Sequence, residues 1–508
     1  MLKQLKWISF LIALALSCQA MDEKELGKGP GKEVTWFKYN SKNKPEVTNK
    51  DNNPTVLRLD ITGYNNDKIV SELKNFTHNS LRSINIVTYF QSGLNNIWEA
   101  LEKINTENVT ELAITGMTLN EKIPLSKGVD VSFKASRYNK LFEILPNVNS
   151  STLAFQEGNH DEALKFMTSF KKPLKFFWVS IGKDQKKPDL IYGINPHTKA
   201  ISLPPITLNN AEIAISLLNK VRTDNIDWVE LAFAKNTEEV STDTITWKIS
   251  DEVGQKWRNI KGLTVFVKDQ AFSPTLMKLF GSIFTTKSVE LYGGKITTDT
   301  LSKSVWESGF SNLEHFSTSF NEGANETGEI IEVMINIFKA QPKLKVLEVN
   351  EDWLHTEVII HPKWTELLDA AKSGGKNIQL LRLPTFTTWD QVGSLAEAFP
   401  NLKYIAANSI QGFIDPSANA KDVTDLFGKF KKLQHVYVHY KEERPDVPFA
   451  EVYIKDNKMD LIEVNDKQRL VALQKELADY FKNTKINYSS KKVYNTARQT
   501  IIKTILGY

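Results

Sequence analysis

The sequence predicts an α/β fold: a curved solenoid with a parallel sheet on its concave face, helices on its convex face and atypical terminal caps. Three observations predict it. A six-residue phrase, apolar at its first, fourth and sixth places, recurs along most of the chain, as in Leu344-Lys345-Val346-Leu347-Glu348-Val349. Segments of helical spacing fall between the copies: Ile331, Met334, Ile335 and Phe338 stand at i, i+3, i+4 and i+7, as do Val423, Leu426, Phe427 and Phe430. Finally, the 508 residues are 41% hydrophobic and 24% charged, enough apolar surface for a long stacked core and too much for a disordered chain.

The elements follow in chain order. Lys3 and Lys6 precede an apolar run from Trp7 to Leu16, and small or polar residues close it at Ser17 to Ala20. That order over residues 1–20 reads as a signal peptide, the run being shorter than the ~20 residues a membrane-spanning helix needs. Two cleavage schemes stay open. Cys18-Gln19-Ala20 suits a cut that releases a soluble chain at Met21, whereas Leu14-Ala15-Leu16-Ser17-Cys18 resembles a bacterial lipobox, which would make Cys18 a lipidated first residue. Residues 21–53 are polar apart from Val34, Trp36 and Phe37, and read as a mobile or capping segment.

Residues 54–440 carry the repeat. Its first copy begins at Val56 and its last at Leu433, 377 residues apart over 14 intervals of about 27 residues each. Clear copies start at Leu81, Val109, Leu174, Ile226, Ile260, Leu313, Leu344, Ile378 and Leu402; Ser150, Thr198 and Thr286 put a polar residue first, and Ser126 begins a poor one. Helices are expected over Asn209–Val221, Pro274–Phe284 and Trp389–Phe399. A strand and one helix cannot bury their apolar faces alone, so neighbouring units must stack. An irregular insertion near 183–205 pairs Leu190–Ile194 with Ala200–Leu203 around Asn195-Pro196-His197, a hairpin pattern. Residues 441–508 read as a cap: a hairpin of Glu451–Ile454 and Leu461–Val464, then helices near Lys467–Lys482 and Ser490–Leu506. The alternative to one solenoid is two or three separate α/β domains.

The turns Pro342-Lys343-Leu344, Pro400-Asn401-Leu402 and Lys431-Lys432-Leu433, each leaving a helix for a strand, carry a family resemblance. Over residues 54–440 the chain resembles the leucine-rich repeat (LRR) proteins, in particular their longer, helix-containing class. One part of that pattern departs. The place nine residues after the first leucine, where the family sets Asn or Cys, holds Asn65 once but Phe90, Thr118, Glu322, Trp353, Gln411 and Glu442 elsewhere. The resemblance implies a solenoid with irregular loops.

Composition excludes several functions. Lys plus Arg is 64 against Asp plus Glu 60, giving no clustered basic excess for nucleic acid. A single cysteine rules out disulfide frameworks, thiolate metal sites and a cysteine nucleophile in the body of the chain. Phosphate-loop, nucleophile-elbow and zinc-helix motifs are absent from the sequence, so no catalytic residue, metal or cofactor is assigned.

Period two in each strand sends alternate residues to the concave face. The residues placed there are Phe176, Trp178, Trp228, Glu230, Glu290, Tyr292, His315, Glu348, Asn350, Arg382, Tyr404, His435, Tyr437 and His439. Aromatic and arginine side chains at this density resemble a ligand surface. Asn75, Asn108, Asn149, Asn325 and Asn487 lie in Asn-x-Ser/Thr sequons and are glycosylation candidates. The leading expectation is a secreted or surface-anchored, non-enzymatic recognition protein that binds a protein or glycan, meeting a membrane only through lipid on Cys18. Its alternatives are a carbohydrate-active hydrolase using two of Glu230, Glu290 and Glu348 as acid and base, and a structural envelope protein.

Overall fold

In the computed structural model the described residues are 34–39, 45–47, 56–60, 80–87, 101–102, 104–118, 142–157, 163–164, 167–168, 176–181, 190–194, 199–207, 210–221, 226–233, 254–255, 257–258, 260–267, 272–320, 327–351, 362–386, 389–410, 428–439, 448–455, 458–464, 485–488 and 494–507. Cys18 and the signal-like segment, Asn75, Asn325, the poor copy at Ser126 and the expected helices at Val423–Phe427 and Lys467–Lys482 lie outside them. The chain is mixed α/β, with parallel sheets and helices, in two compact units: residues 1–231 with 246–253, and residues 232–245 with 254–508.

In the first unit the strands are β1 (Val34–Tyr39), β2 (Pro45–Val47), β3 (Val56–Asp60), β4 (Ser83–Val87), β5 (Glu111–Thr118), β6 (Ser150–Glu157), β7 (Phe176–Ile181), β8 (Leu190–Ile194), β9 (Ala200–Ser202) and β10 (Trp228–Phe233). From β3 to β7 each strand pairs parallel with the next, and β9 with β10. β8 runs antiparallel to both β7 and β9, the hairpin that Asn195-Pro196-His197 signalled. Val34–Phe37, read from sequence as a mobile or capping segment, forms β1 beside β3, with Val34 opposite Val56. Helix α1 (Ala211–Lys220) follows Asn210, whose side chain accepts from Thr207 N at 2.8 Å and donates to Pro205 O at 3.1 Å.

In the second unit β11 (Gly262–Val267), β12 (Ser288–Tyr292), β13 (His315–Phe320), β14 (Val346–Glu351), β15 (Leu380–Phe386), β16 (Tyr404–Ile410) and β17 (His435–His439) pair parallel in chain order. β18 (Pro448–Lys455) and β19 (Lys458–Val464) add the expected antiparallel hairpin to β17, and β20 (Lys485–Tyr488) pairs parallel with β19. Between the parallel strands run α2 (Pro274–Ile283), α3 (Lys303–Gly309), α4 (Thr327–Ala340), α5 (Trp364–Gly374) and α6 (Trp389–Ala398); α7 (Tyr494–Leu506) comes last. Ser273 caps α2 by accepting from Leu276 N, and Pro274 suits its first turn because that N–H has no helical partner.

Apolar period two sends Leu263, Val289, Phe316, Leu347, Leu381, Ile405 and Val436 to one sheet face, all wholly buried. Helix residues meet that face: Trp306 of α3 stands edge-on to Phe316 at 5.8 Å, and Phe280 of α2 lies 6.1 Å from Phe233. Neighbouring helices approach backbone to backbone where glycine permits it. A Cβ on Gly309 would fall 1.6 Å from Gly281 O, and one on Gly374 1.8 Å from Phe338 O.

The strand entries repeat one hydrogen-bond device. In the second unit two successive N–H groups reach a single carbonyl of the preceding strand's entry: Glu314 and His315 to Lys287, Lys345 and Val346 to Glu314, Gln379 and Leu380 to Lys345, Lys403 and Tyr404 to Gln379. The first unit does the same with Thr110 and Glu111 on Arg82 O. An asparagine just ahead of the first apolar place adds a rung: Asn377 Nδ2 donates to Pro342 O at 2.8 Å, and Asn401 Nδ2 to Lys376 O at 2.7 Å. Asn147 Nδ2 bonds Glu107 O likewise. Asparagine thus bonds turn carbonyls one residue before the phrase instead of nine after its start.

Polar residues at the first place of a copy have a similar use. Thr286 is buried, donates to Lys261 O at 2.7 Å and accepts from Ser288 N, so it satisfies turn groups that a leucine there would leave to others.

Candidate functional site

On the sheet face opposite α2–α6, the second unit aligns side chains in rows. One row holds Ser288, His315, Val346, Leu380, Tyr404 and His435; the next holds Glu290, Ser317, Glu348, Arg382, Ala406 and Tyr437. The phase read from sequence therefore places Glu290, Tyr292, His315, Glu348, Arg382, Tyr404, His435 and Tyr437 on one face.

That face is covered. Ile502 and Leu506 of α7 are buried against Val346 and Leu380, with Ile501, Ile505 and Tyr404 packed around them. Ile501 and Tyr404 also pack on Ala406 and Tyr437. Arg498, Ile501, Ile502 and Ile505 stand at i, i+3, i+4 and i+7, so a single stripe of α7 faces the sheet. His315, Glu348 and Tyr437, expected as exposed ligand contacts, are instead buried, at 0%, 0% and 3% exposure. The reason lies in the neighbouring row positions: Val346 and Leu380 are aliphatic, and an aliphatic inner row needs a cover.

The polar half of the cover is ionic. Arg498 Nε donates to Glu348 Oε1 at 2.8 Å and Oε2 at 2.9 Å, its Nη2 also reaches Glu348 Oε2, and Nη2 lies 3.2 Å from Glu290 Oε1. One guanidinium thus joins two carboxylates that flank Ser317 across three strands. Tyr292 Oη donates to Glu290 Oε2 at 3.1 Å, and Thr264 Oγ1 donates to the same oxygen at 3.3 Å. Beneath them His315 links Ser288 Oγ, 2.5 Å from Nδ1, to Glu348 Oε2, 3.4 Å from Nε2.

Ser288, His315 and Glu348 stand in the order of a Ser-His-acid relay, but the geometry favours a brace. Ser288 is at 0% exposure in a regular strand, and Glu348 is committed to Arg498. A nucleophile needs a reachable oxygen and donors where an oxyanion will form. The carboxylate pair is likewise bridged by Arg498 where acid–base hydrolysis needs a water or glycosidic oxygen between the two groups.

Burial acts first on the Glu348 carboxyl and would raise its pKa. The positive Arg498 and the hydrogen bonds from His315 and Arg498 outweigh it, holding the group well below the usual carboxylate range. Burial raises the Tyr292 hydroxyl, and the Glu290 charge raises it further, so it stays a protonated donor. The folded value of Glu348 lies below the unfolded value of about 4.3. Its stabilisation is therefore complete above about pH 4.3 and is lost as the pH falls through the depressed folded value. We expect the urea midpoint to fall on acidification below pH 4.3, and to fall less in Glu348→Gln. Equal pH dependence in the two proteins would assign the loss elsewhere.

Other sequence candidates are spread over separate places. In the first unit Trp228 and Glu230 are half-buried on β10, Glu230 accepting from Ser202 Oγ. Phe176 and Trp178 stand on β7, with Trp178 opposite Thr152 and Gly193. In the second unit Tyr404, His435 and Tyr437 stack in sequence, with ring centroids 5.6 and 5.9 Å apart. Asn350 and His439 hold strand positions on β14 and β17, and Asn487 on β20. Asn108 and Asn149 are exposed at the turns entering β5 and β6. Among the described residues no cluster of three His, Cys, Asp or Glu could hold a metal, and no helix is long and apolar enough to cross a membrane.

The residues that sequence reading missed are Val346, Leu380, Ala406 and Arg498. Paired apolar letters at Val346-Leu347 and Leu380-Leu381 were a usable signal for strands covered on both faces. No protein-family model matches the chain, and no curated protein matches it.

Proposed function

We propose that the chain is an exported, non-enzymatic recognition protein of leucine-rich-repeat type, a curved solenoid that binds a protein or glycan ligand on the sheet face opposite its helices. The observation that carries this reading is the face itself. Its aligned rows already seat a patterned side-chain array, an arginine between two carboxylates and an aliphatic stripe beside them, which is what a recognition surface does. The repeated strand-entry bonds support the solenoid, since one device recurs at each entry and suits units that stack one on the next. The half-buried Trp228 and Glu230, and the Tyr404–His435 stack, supply further aromatic and charged contacts in their own units.

Exposed ligand should be retained on the immobilised wild-type chain and weakened about tenfold or more by Trp228→Ala combined with Glu230→Ala, the scale of an interface hot spot. Undiminished capture of cell-surface protein and glycan would remove this site. Export is tested separately by intact mass of the mature chain: an acylated Cys18 gives the surface-anchored form and a chain starting at Met21 the soluble one, while an uncut amino terminus contradicts export.

A further inference from the structure

We propose that α7 is a resident ligand of the sheet face, held in cis, and that the partner taken in trans is an amphipathic helix of the same chemistry, with an arginine one turn ahead of an aliphatic pair. The proposal rests on the recognition reading and names its partner class and its regulation.

Three observations carry it. First, the contact is read by pattern: Arg498 meets the acidic end of the face, and Ile501, Ile502 and Leu506 meet its apolar end, as a helix does in a groove. Second, the apolar contacts form small clusters made of α7 and the sheet rows alone, with Ile502 and Leu506 the only wholly apolar side chains of α7 that are fully buried. The remainder of its apolar stripe is half-buried and Thr500, Lys503 and Thr504 are exposed. Third, the face without α7 would present Glu348 and Glu290 uncompensated beside Val346 and Leu380. Two carboxylates next to an aliphatic strip select a cationic amphipathic helix over an acidic or purely polar segment, by attraction and by the cost of leaving a buried charge unpaired. While α7 is docked, such a partner must displace it, so the cis helix sets a threshold for binding.

The test uses the full chain with a protease site inserted between Tyr488 and Tyr494, cut after folding, and a fluorescent peptide covering residues 489–508. The nicked chain should bind the peptide, and a peptide with Arg498→Glu should bind at least tenfold more weakly. The uncut chain should bind the native peptide at least tenfold more weakly than the nicked one, because α7 competes at high effective concentration. Aggregation on nicking, or equal binding of the two peptides, would overturn the proposal by making α7 an integral part of the core. The uncut Arg498→Ala chain gives an independent reading: it should bind the native peptide at least tenfold more tightly than uncut wild type, and unchanged binding again overturns it. These measurements read the α7 groove alone. Peptide exchange with ligand capture unaffected by the Trp228 and Glu230 substitutions sinks the first-unit site and leaves this inference standing; the reverse pattern sinks the inference only.

Discussion

Replacing Glu348 by Ala should destabilise the second unit by about 3–5 kcal/mol, the scale expected when one partner of a buried ion pair is removed. Arg498 would then keep its place beside Glu290 but lose the carboxylate that takes three of its contacts, and His315 would lose its Nε2 partner. Arg498→Ala should cost a similar amount from the other side, leaving Glu348 charged at 0% exposure. The double replacement Glu348→Leu with Arg498→Met should be close to neutral, because it removes both charges while keeping volume. Urea denaturation of the three variants checks this. Three equal losses would show that packing, and not the ion pair, governs the site.

The second large effect is expected at Gly309. Its Cβ, placed 1.6 Å from Gly281 O, would meet backbone on a neighbouring helix, where no rotamer change can relieve it. Helices α2 and α3 would have to separate, loosening Trp306 from Phe310 and Phe316. Overpacking of this kind costs about 3 kcal/mol, at the upper end of its usual range. Ser282→Ala, on the exposed part of α2, should stay within ~0.5 kcal/mol. A Gly309→Ala protein with an unchanged denaturation midpoint would mean that the two helices are not in backbone contact.

Much of the fold was legible because each copy of the phrase obeys period two: Leu347 and Val349 must be buried together, and the strand follows. The helices at Pro274–Ile283 and Trp389–Ala398 were equally open to reading, since their apolar residues share one face. Helix α3 was not, because Val305 and Trp306 within a seven-residue helix are too few to set a period. Strand β1 was hidden inside a polar segment, its partner β3 lying about twenty residues on.

The site divides in the same way. Glu290, His315, Glu348 and Tyr437 could be placed on one face, as alternation is local. Their burial could not, since it depends on Arg498, 150 residues from Glu348 in the chain, and no spacing rule connects them. The same long-range pairing turns a row that resembled an open ligand surface into one already occupied.

Hydrogen exchange across residues 494–506 tests most directly whether the helix-free face is a recognition groove with α7 as its occupant. The account predicts that Arg498→Ala lowers protection in α7 and exposes β14–β16 on that face while leaving α2–α6 as protected as before. Loss of protection throughout the second unit, or unchanged protection in α7, would contradict it.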